Sequence, residues 1–295
     1  LFGPLLAVVC IDDLQHGIDL VNKKTEYGLT SGLQSLDEDE RRLWKNSIEA
    51  GNLYINRGIT GAIVQRQPFG GMKRSAFGGG IKAGSVNYVS CFVNFNETPK
   101  SEKIPVTDNI YQSVKTFMTE DEYSRIQLAH ESYKRNWEEE FSQEKVTQQL
   151  MGEQNTFRYL PLKNIVFRVL PGDKADDMLL VIRAANTART PLTISINASD
   201  EKLKVLNELP TNEFTLLTQS DEEFVADMDK FDRVRCCSSV LPESYYQKAA
   251  KLGKYIAVTK PLTEGRLELL HYLKEQSISY EYHRYGSFTE EDAVL

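Results

Sequence analysis

The sequence predicts a mixed α/β fold with a parallel sheet, and three observations lead to this prediction. Beyond residue 160, short β-rich runs alternate with helical segments, which is the pattern of parallel strands covered by helices. Strand-like and helical segments also alternate within the first 56 residues. The chain has 295 residues, enough for two domains with substantial hydrophobic cores. We therefore expect two domains, the second of which has a Rossmann-like architecture.

The first elements follow from capping residues and spacing. Two consecutive aspartates can cap a helix that starts at residue 14, and Gly28 is expected to end it. A second helix over 37–50 opens with acidic residues and stops before Gly51. A strand over 52–56 follows directly.

The middle of the chain contains an apolar segment, a linker and a long helix. Residues 86–95 carry apolar side chains on both faces, which predicts a strand that pairs with another subunit or, alternatively, lies centrally in the chain's own sheet. Residues 96–119 are polar and irregular and read as a linker. Residues 120–145 predict a highly charged helix whose aromatic and apolar stripe is a packing face.

The second domain is predicted from its alternating pattern. Its expected strands are 165–170, 192–196, 214–217, 234–237 and 255–258, and its expected helices are 175–188, 200–208, 221–230 and 243–252. The first strand-to-helix turn, residues 171–174, has one glycine and an acidic residue where a dinucleotide fingerprint needs three glycines. We therefore do not expect this domain to bind NAD.

Composition excludes several classes of function. The net charge is −7 and the basic residues are scattered, which argues against a nucleic-acid partner. No apolar run approaches the ~18–20 residues of a membrane span, and no signal pattern opens the chain, so a cytoplasmic protein is expected. The four cysteines, at positions 10, 91, 236 and 237, are expected to be reduced and buried.

The most informative segment is the glycine-rich loop, residues 57–71, which follows the 52–56 strand. Glycines at 58, 61, 70 and 71 allow sharp turns and close approach of the backbone to a neighbour. A chain that turns in this way can present main-chain N–H groups to an anion. The alternative interpretation is a flexible surface loop.

Several motifs in and around this loop resemble those of the aldehyde dehydrogenase family. They are Leu-Phe-Gly-Pro at 1–4, Glu-Tyr-Gly-Leu-Thr-Ser-Gly-Leu at 26–33 and Pro-Phe-Gly-Gly-x-x-x-Ser at 68–75. The L-glutamate γ-semialdehyde (Δ1-pyrroline-5-carboxylate) dehydrogenases within that family have a run similar to Asn56-Arg57-x-x-Thr60-Gly61-Ala62-x-Val64-x-x-Gln67-Pro68-Phe69. The resemblance implies the C-terminal part of an aldehyde dehydrogenase fold, with 86–95 in a β-flap that forms a homo-oligomer.

The resemblance also implies roles for individual residues. Gly61 and Ala62 would bind the amino-acid head of a small-molecule aldehyde, and Thr60 could add a hydroxyl. Phe69 would form a wall of the aromatic box around the aliphatic middle of the substrate, and Phe2 would contact the nicotinamide side of NAD. The alternatives are ordinary turns and core packing.

Arg57 is expected to brace the loop by pairing with a carboxylate rather than to touch substrate. If the head group is held in place, only an aldehyde of the correct length can reach a nucleophile, so specificity should depend on chain length.

No catalytic residue and no metal site are expected in this chain. None of the four cysteines lies in the family's Gly-Gln-x-Cys context, and the family's glutamate at the nicotinamide ribose would precede residue 1. The chain is therefore interpreted as a fragment that is inactive on its own. NAD would be the cofactor of the full-length enzyme, with FAD only if a proline dehydrogenase domain lies upstream.

The C-terminal stretch 265–286 resembles the end of long bifunctional proline-utilisation (PutA-type) proteins. A strand from 277 to 285 could be part of a lid over the active site or an edge strand of the second domain. The expected domains are a dehydrogenase part at 1–98, a linker with the long helix at 99–154, a non-catalytic Rossmann-like domain at 155–264, and a tail at 265–295.

Two other functions remain open at this stage. One is a non-catalytic assembly or lid module, and the other is an aldehyde dehydrogenase for a different carboxylated semialdehyde such as succinate semialdehyde.

Overall fold

The structure is a computed structural model that describes residues 4–76, 78–97 and 110–282. The chain forms two compact units, each assembled from separate segments. Described residues of the first unit are 4–76, 78–88, 145–157 and 276–282, and those of the second are 89–97, 110–144 and 158–275. The domain boundaries given above run in chain order and stay predictions.

Helices and strands alternate along most of the described chain. The helices are α1 (Leu14–Lys24), α2 (Glu38–Ser47), α3 (Glu120–Asn136), α4 (Ala175–Thr187), α5 (Leu203–Asn207), α6 (Asp221–Asp227), α7 (Glu243–Leu252) and α8 (Gly265–Glu268). The strands are β1 (Tyr27–Gly28), β2 (Thr30–Leu33), β3 (Asn52–Ile55), β4 (Met72–Lys73), β5 (Lys145–Leu150), β6 (Glu153–Pro161), β7 (Ile165–Arg168), β8 (Leu192–Ile196), β9 (Thr215–Thr218), β10 (Arg233–Arg235), β11 (Ile256–Ala257) and β12 (Leu273–Glu281).

The first unit contains a sheet in the order β2-β3-β12-β6-β5. Strand β3 lies between β2 and β12 and runs parallel to both. Strands β5 and β6 form an antiparallel hairpin. In the register of β3 and β12, Ser277 lies opposite Asn52 and Ser279 opposite Tyr54. The strand that leads into the glycine-rich loop is therefore flanked by a strand from near the C-terminus.

Helices α1 and α2 cover this sheet with their apolar faces. The Asp13 carboxylate accepts a hydrogen bond from the His16 amide at 2.7 Å and so caps α1, as the sequence predicts. Ile18 and Trp44 are buried against Leu53 and Ile278 of the sheet. Burial of each such side chain contributes roughly 1.5–3 kcal/mol to stability. Because Ile278 lies in β12, this strand shares a core with the elements before the loop.

The second unit contains an entirely parallel sheet in the order β11-β10-β7-β8-β9. The chain moves outward from β7 to β9 and then crosses back to place β10 on the other side of β7. This order puts a topological switch point between β7 and β10, as in doubly wound α/β folds. The predicted parallel α/β architecture is confirmed, and each predicted strand and helix of this region is present.

The long charged helix is confirmed as α3, which continues as a π-helical turn over Trp137–Phe141. Thr119 and Glu122 form a capping box at its start. Its aromatic and apolar stripe is buried, including Tyr123, Ile126 and Tyr133. The stripe is therefore a packing face, as predicted.

The strand predicted at 86–95 is wrong. The described residues there form a short 3-10 helix, Tyr88–Phe92, and no strand. Val89 and Phe92 are each 72% exposed. Apolar residues on both faces predict a strand only if neighbouring strands cover them, and the described chain places none there.

Other differences concern the β5–β6 hairpin and the ends of the first two helices. The β5–β6 hairpin was not predicted, because β5 is mostly polar and directly follows a charged helix. Gly152, with a φ of 79°, lies in its turn. Helix α1 ends at Lys24 and α2 at Ser47, so Gly28 and Gly51 lie beyond the helix ends. In the described chain, no helix is long and apolar enough to span a bilayer.

The tail strand is not an edge strand of the second domain, as one interpretation held, because β12 lies between β3 and β6 in the first unit's sheet. Residues 283–295 lie outside the described part of the chain.

The prediction that all the thiols are buried is wrong for Cys10 and Cys91, which are exposed, and right for Cys236 and Cys237. Cys10 lies in a described segment without regular structure, and Cys91 lies in the exposed 3-10 helix.

Candidate functional site

The glycine-rich loop begins at the carboxyl ends of parallel strands. Asn56, the residue after β3, has a positive φ of 58°, which asparagine tolerates better than most residues. Its side chain accepts a hydrogen bond from the Ser35 amide at 2.8 Å and donates one to the Ser35 carbonyl at 2.9 Å. Ligands of parallel sheets bind outside the carboxyl ends of the strands, so the loop lies where a binding site is expected.

The middle of the loop presents main-chain donors to solvent. Thr60 and Gly61 are exposed and Ala62 is half-buried. Gly61 has a φ of 80°, a conformation that glycine adopts without strain. Among the described residues, no atom accepts a hydrogen bond from the amides of Gly61 or Ala62. Two consecutive N–H groups are therefore available to an anion.

The loop closes on itself immediately after these donors. The side-chain oxygen of Gln67 accepts a hydrogen bond from the Ile63 amide at 2.9 Å. The main-chain amide of Gln67 donates in turn to the Ile63 carbonyl at 2.9 Å. The segment 63–67 is thus a closed turn that fixes the peptide following Ala62.

Phe69 lies at the end of the loop with its main chain fixed. Its amide donates to the Ala83 carbonyl, and the Ala83 amide donates to the Phe69 carbonyl, both at 2.9 Å. The next residue, Gly70, donates its amide to the Asn52 side chain at 3.1 Å, and its carbonyl accepts from the buried Lys82 ammonium. Phe69 remains 39% exposed, so its ring has an open side.

Arg57, at the start of the loop, is paired as predicted. Its guanidinium lies 3.2 Å from a carboxylate oxygen of Glu153 in β6, and both side chains are mostly buried. The pairing supports a bracing role for Arg57 at the base of the loop.

The predicted site residues fall into three groups. Thr60, Gly61 and Ala62 share one turn, and Phe69 lies at the far end of the same loop. Phe2 lies outside the described residues. Their roles toward substrate and cofactor stay predictions.

In the second unit, buried side chains of the unit itself occupy the carboxyl ends of the parallel strands. Arg168, the last residue of β7, is fully buried. Its guanidinium donates to the Asp221 carboxylate at 2.7 Å, to the Ser195 hydroxyl at 2.9 Å and to the Gln219 carbonyl at 3.0 Å. Tyr245 also donates to Asp221, at 2.5 Å.

A second buried cation lies at the end of β10. Arg235 and Glu268 form an ion pair of 3.2 Å in which both side chains are fully buried. Tyr272 donates to the same carboxylate at 2.9 Å, and the Leu262 amide donates to its other oxygen at 2.9 Å. Buried charged side chains of the same unit therefore occupy the switch point between β7 and β10.

The thiols that follow β10 are not activated nucleophiles. Burial raises the pKa of Cys236 to about 12 and the pKa of Cys237 well above its ordinary value. Thiolates are the reactive form, so both are inert at neutral pH. Within the described ranges, no group of three or more His, Cys, Asp or Glu side chains is placed to hold a metal ion.

Sequence reasoning missed the residues that support the loop from a distance: Glu153, Asn155, Ser277 and Ser279. They lie more than 80 positions away along the chain, and without the pairing of β12 with β3 no local pattern connects them to the loop. Gln67 was visible within the quoted motif, but its side-chain partners were not.

Comparisons with known proteins show what this chain is similar to. The sequence model of the aldehyde dehydrogenase family matches residues 1–97. The 1-pyrroline-5-carboxylate dehydrogenase of Bacillus mycoides (strain KBAB4) is 39% identical over 101 residues, which are 34% of this chain and 19% of that protein. The protein of the same name from Bacillus thuringiensis (strain Al Hakam) has the same identity and coverage.

A solved structure is similar over nearly the whole chain. Proline Utilization A from Corynebacterium freiburgense is 34% identical with a TM-score of 0.73, and the match covers 97% of this chain and 26% of that chain. This chain thus spans 19% of the length of the first curated relatives and 26% of that solved chain. The match to the aldehyde dehydrogenase family model, residues 1–97, includes the glycine-rich loop.

Proposed function

We propose that the glycine-rich loop binds the amino-acid head of L-glutamate γ-semialdehyde in an NAD-dependent dehydrogenase of proline catabolism. The product of that reaction is L-glutamate. The relatives named 1-pyrroline-5-carboxylate dehydrogenase and the similarity to Proline Utilization A support this substrate and pathway. The chain covers a minor part of those proteins, so the activity belongs to the proposal for the whole enzyme.

The observation that carries the proposal is the pair of unengaged amides at Gly61 and Ala62. The head of glutamate semialdehyde has a carboxylate, and consecutive N–H groups in a glycine turn form a concave donor site for such a group. The exposed Thr60 hydroxyl lies in the same turn. Because the donors are main-chain atoms, the site does not depend on a flexible cationic side chain.

The position of Phe69 supports the rest of the assignment. A partly exposed ring on a fixed main chain can form one wall around the aliphatic middle of the substrate. With the head held at one end, the distance to the aldehyde is set by chain length. Shorter or longer semialdehydes should therefore lose kcat as well as binding.

We do not expect the second unit of this chain to bind NAD. In the second unit, Arg168 and Arg235 occupy the switch point where a dinucleotide would bind. The proposed NAD site therefore belongs to the dehydrogenase part of the whole enzyme, with Phe2 as a contact. NAD titration of the 295-residue chain by calorimetry should give no measurable binding, and micromolar affinity would contradict this assignment.

The second unit is proposed to be a non-catalytic assembly module. Its filled sheet edge and unactivated thiols support this role. We also propose that residues 86–95 contact another copy of the chain, since exposed apolar residues such as Val89 and Phe92 are suited to burial in an interface.

Ala62→Pro in the full-length enzyme tests whether the Gly61 and Ala62 amides bind the carboxylate of the substrate head, a pair of donors called the anchor from here on. Proline removes one of the two donors, so KM for glutamate semialdehyde should rise about tenfold or more, equivalent to ~1.4 kcal/mol. Ala62→Gly keeps the N–H group and serves as the matched control. Butanal, an aldehyde without an amino-acid head, should show the same KM with the Ala62→Pro variant and the unmodified enzyme.

Unchanged KM for glutamate semialdehyde in the Ala62→Pro variant would reject the anchor. A parallel loss with butanal would show that the substitution disturbs the whole site instead.

A further inference from the structure

We propose that Gln67 is a positioning residue for the carboxylate-binding turn, and that Glu153 of β6 fixes its orientation. This inference rests on the proposed function of the glycine-rich loop. It assigns control of substrate-head affinity to a buried polar cluster, defined as Arg57, Gln67, Glu153, Asn155 and Ser279, whose members touch no substrate.

The first step concerns the contact between Gln67 and the donor turn, defined as residues 60–62, which carry the amides of Gly61 and Ala62. The Gln67 side-chain oxygen accepts from the amide of Ile63, the residue directly after Ala62. That bond fixes the plane of the peptide that joins Ala62 to Ile63. The Ala62 amide belongs to the preceding peptide, which is joined to this plane through the Ala62 α-carbon, so only the φ and ψ rotations of Ala62 separate the two. Fixing one of the two peptides therefore restricts the directions open to the Ala62 amide.

The second step concerns the other end of the same side chain. Gln67 is 2% exposed. Its amide nitrogen lies 2.6 Å from the Asn155 side-chain oxygen, 3.1 Å from a Glu153 carboxylate oxygen and 3.2 Å from the Ser279 hydroxyl. A carboxylate only accepts hydrogen bonds, so the Gln67 nitrogen must face Glu153 and its oxygen must face Ile63.

The third step concerns the two ends of the loop. One oxygen of Glu153 lies 3.2 Å from the Arg57 guanidinium and also accepts from the side-chain amides of Gln67 and Asn155, the latter at 2.9 Å. The Ser279 hydroxyl accepts from Arg57 at 2.8 Å. Arg57 opens the loop and Gln67 follows the donor turn, so both ends of the segment that carries Gly61 and Ala62 meet at the same two residues.

Burial makes the cluster sensitive to donor and acceptor identity. Asn155 and Ser279 are fully buried, so a lost partner is not replaced by bulk water. If a substitution places two hydrogen-bond acceptors opposite each other, they repel. Residue 67 should then lose its hydrogen bond to the Ile63 amide. The donor turn would then sample other conformations, and the affinity for a carboxylate head would fall.

Gln67→Glu in the full-length enzyme tests this step. It retains an oxygen for the Ile63 amide but replaces the donor beside Glu153 with a second carboxylate. We expect KM for glutamate semialdehyde to rise about tenfold with KM for butanal unchanged. The double variant Gln67→Glu with Glu153→Gln restores a donor opposite an acceptor and should return KM to within about threefold of the original value.

Gln276→Met supplies a matched control for the loss of a buried glutamine. Gln276 lies in β12 and donates to the Ala50 carbonyl at 2.9 Å, a residue outside the buried polar cluster. Its substitution should lower the melting temperature without changing the ratio of the two KM values. Gln67→Met should lower the melting temperature similarly and change the ratio.

The possible outcomes separate the two proposals. If Ala62→Pro raises KM for glutamate semialdehyde but Gln67→Glu and Gln67→Met do not, the positioning role is wrong and the anchor remains. Failure of the double variant to recover would also overturn the role of Glu153. If Ala62→Pro has no effect, the anchor itself is wrong.

Discussion

The two units differ in the groups that lie at the carboxyl ends of their parallel strands. After β3, the chain enters a loop whose donor turn at Gly61 and Ala62 makes no hydrogen bond to any described residue. At the ends of β7 and β10, Arg168 and Arg235 are buried and paired with carboxylates of the same unit. One edge retains free donors, and the other satisfies its charges internally.

This difference shows that a parallel α/β architecture does not by itself indicate a binding site. Parallel strands direct their carboxyl ends to one edge, but the side chains at that edge decide whether a ligand can enter. Substitutions at the open edge should change substrate affinity with small effects on stability. Substitutions at the filled edge should change stability and leave substrate affinity unaffected.

The largest expected effect is on the filled edge, in the Arg235–Glu268 pair. Glu268→Leu leaves a fully buried guanidinium without its carboxylate, which should lower the free energy of unfolding by ~3–5 kcal/mol. Guanidinium chloride denaturation of the 295-residue chain measures the change. The double variant Arg235→Met with Glu268→Leu removes both charges and should recover a large part of the loss.

A loss below ~1 kcal/mol for Glu268→Leu would contradict the view that this edge is held by buried charge. It would also remove the contrast between the two edges.

A smaller effect is expected on the open edge, at Gly61. An alanine side chain there meets no atom within 4 Å, so Gly61→Ala acts only through its φ of 80°. The left-handed conformation costs a non-glycine residue ~1–2 kcal/mol. If the turn relaxes to avoid that cost, KM for glutamate semialdehyde should rise roughly fivefold in the full-length enzyme.

Gly58→Ala is the matched control in the same loop. Its alanine side chain also meets nothing within 4 Å, and its φ is not positive. KM should remain unchanged with this substitution. Equal effects of the two substitutions would show that the donor turn has no required conformation.

Sequence patterns predicted the second unit well because its signals are local. Strands β7 to β11 are short runs separated by helical segments, and α3 and α4 show helical spacing. Burial of the stripe on α3 also follows from spacing alone.

The support of the glycine-rich loop could not be predicted in the same way. Gln67 contacts Asn155 and Ser279, which lie 88 and 212 positions away. These contacts depend on β12 lying beside β3, and a parallel pairing between distant strands leaves no short-range pattern in the sequence. The strand prediction at 86–95 failed for a related reason, since an apolar run shows a need for cover but not what provides it.

The smallest expected effect is the pH dependence of the filled edge, through Asp221. The hydrogen bond from Tyr245 and the nearby Arg168 guanidinium hold the pKa of Asp221 below its ordinary value. A lowered pKa in the folded state stabilises the fold above the ordinary carboxyl pKa, near 4, and this contribution disappears as pH falls through the lowered value. Asp221→Asn should therefore reduce stability at pH 7 and have a progressively smaller effect toward pH 3. Urea denaturation of both proteins across this range measures the gap, and a gap that is independent of pH would show that the Asp221 charge does not support the buried Arg168.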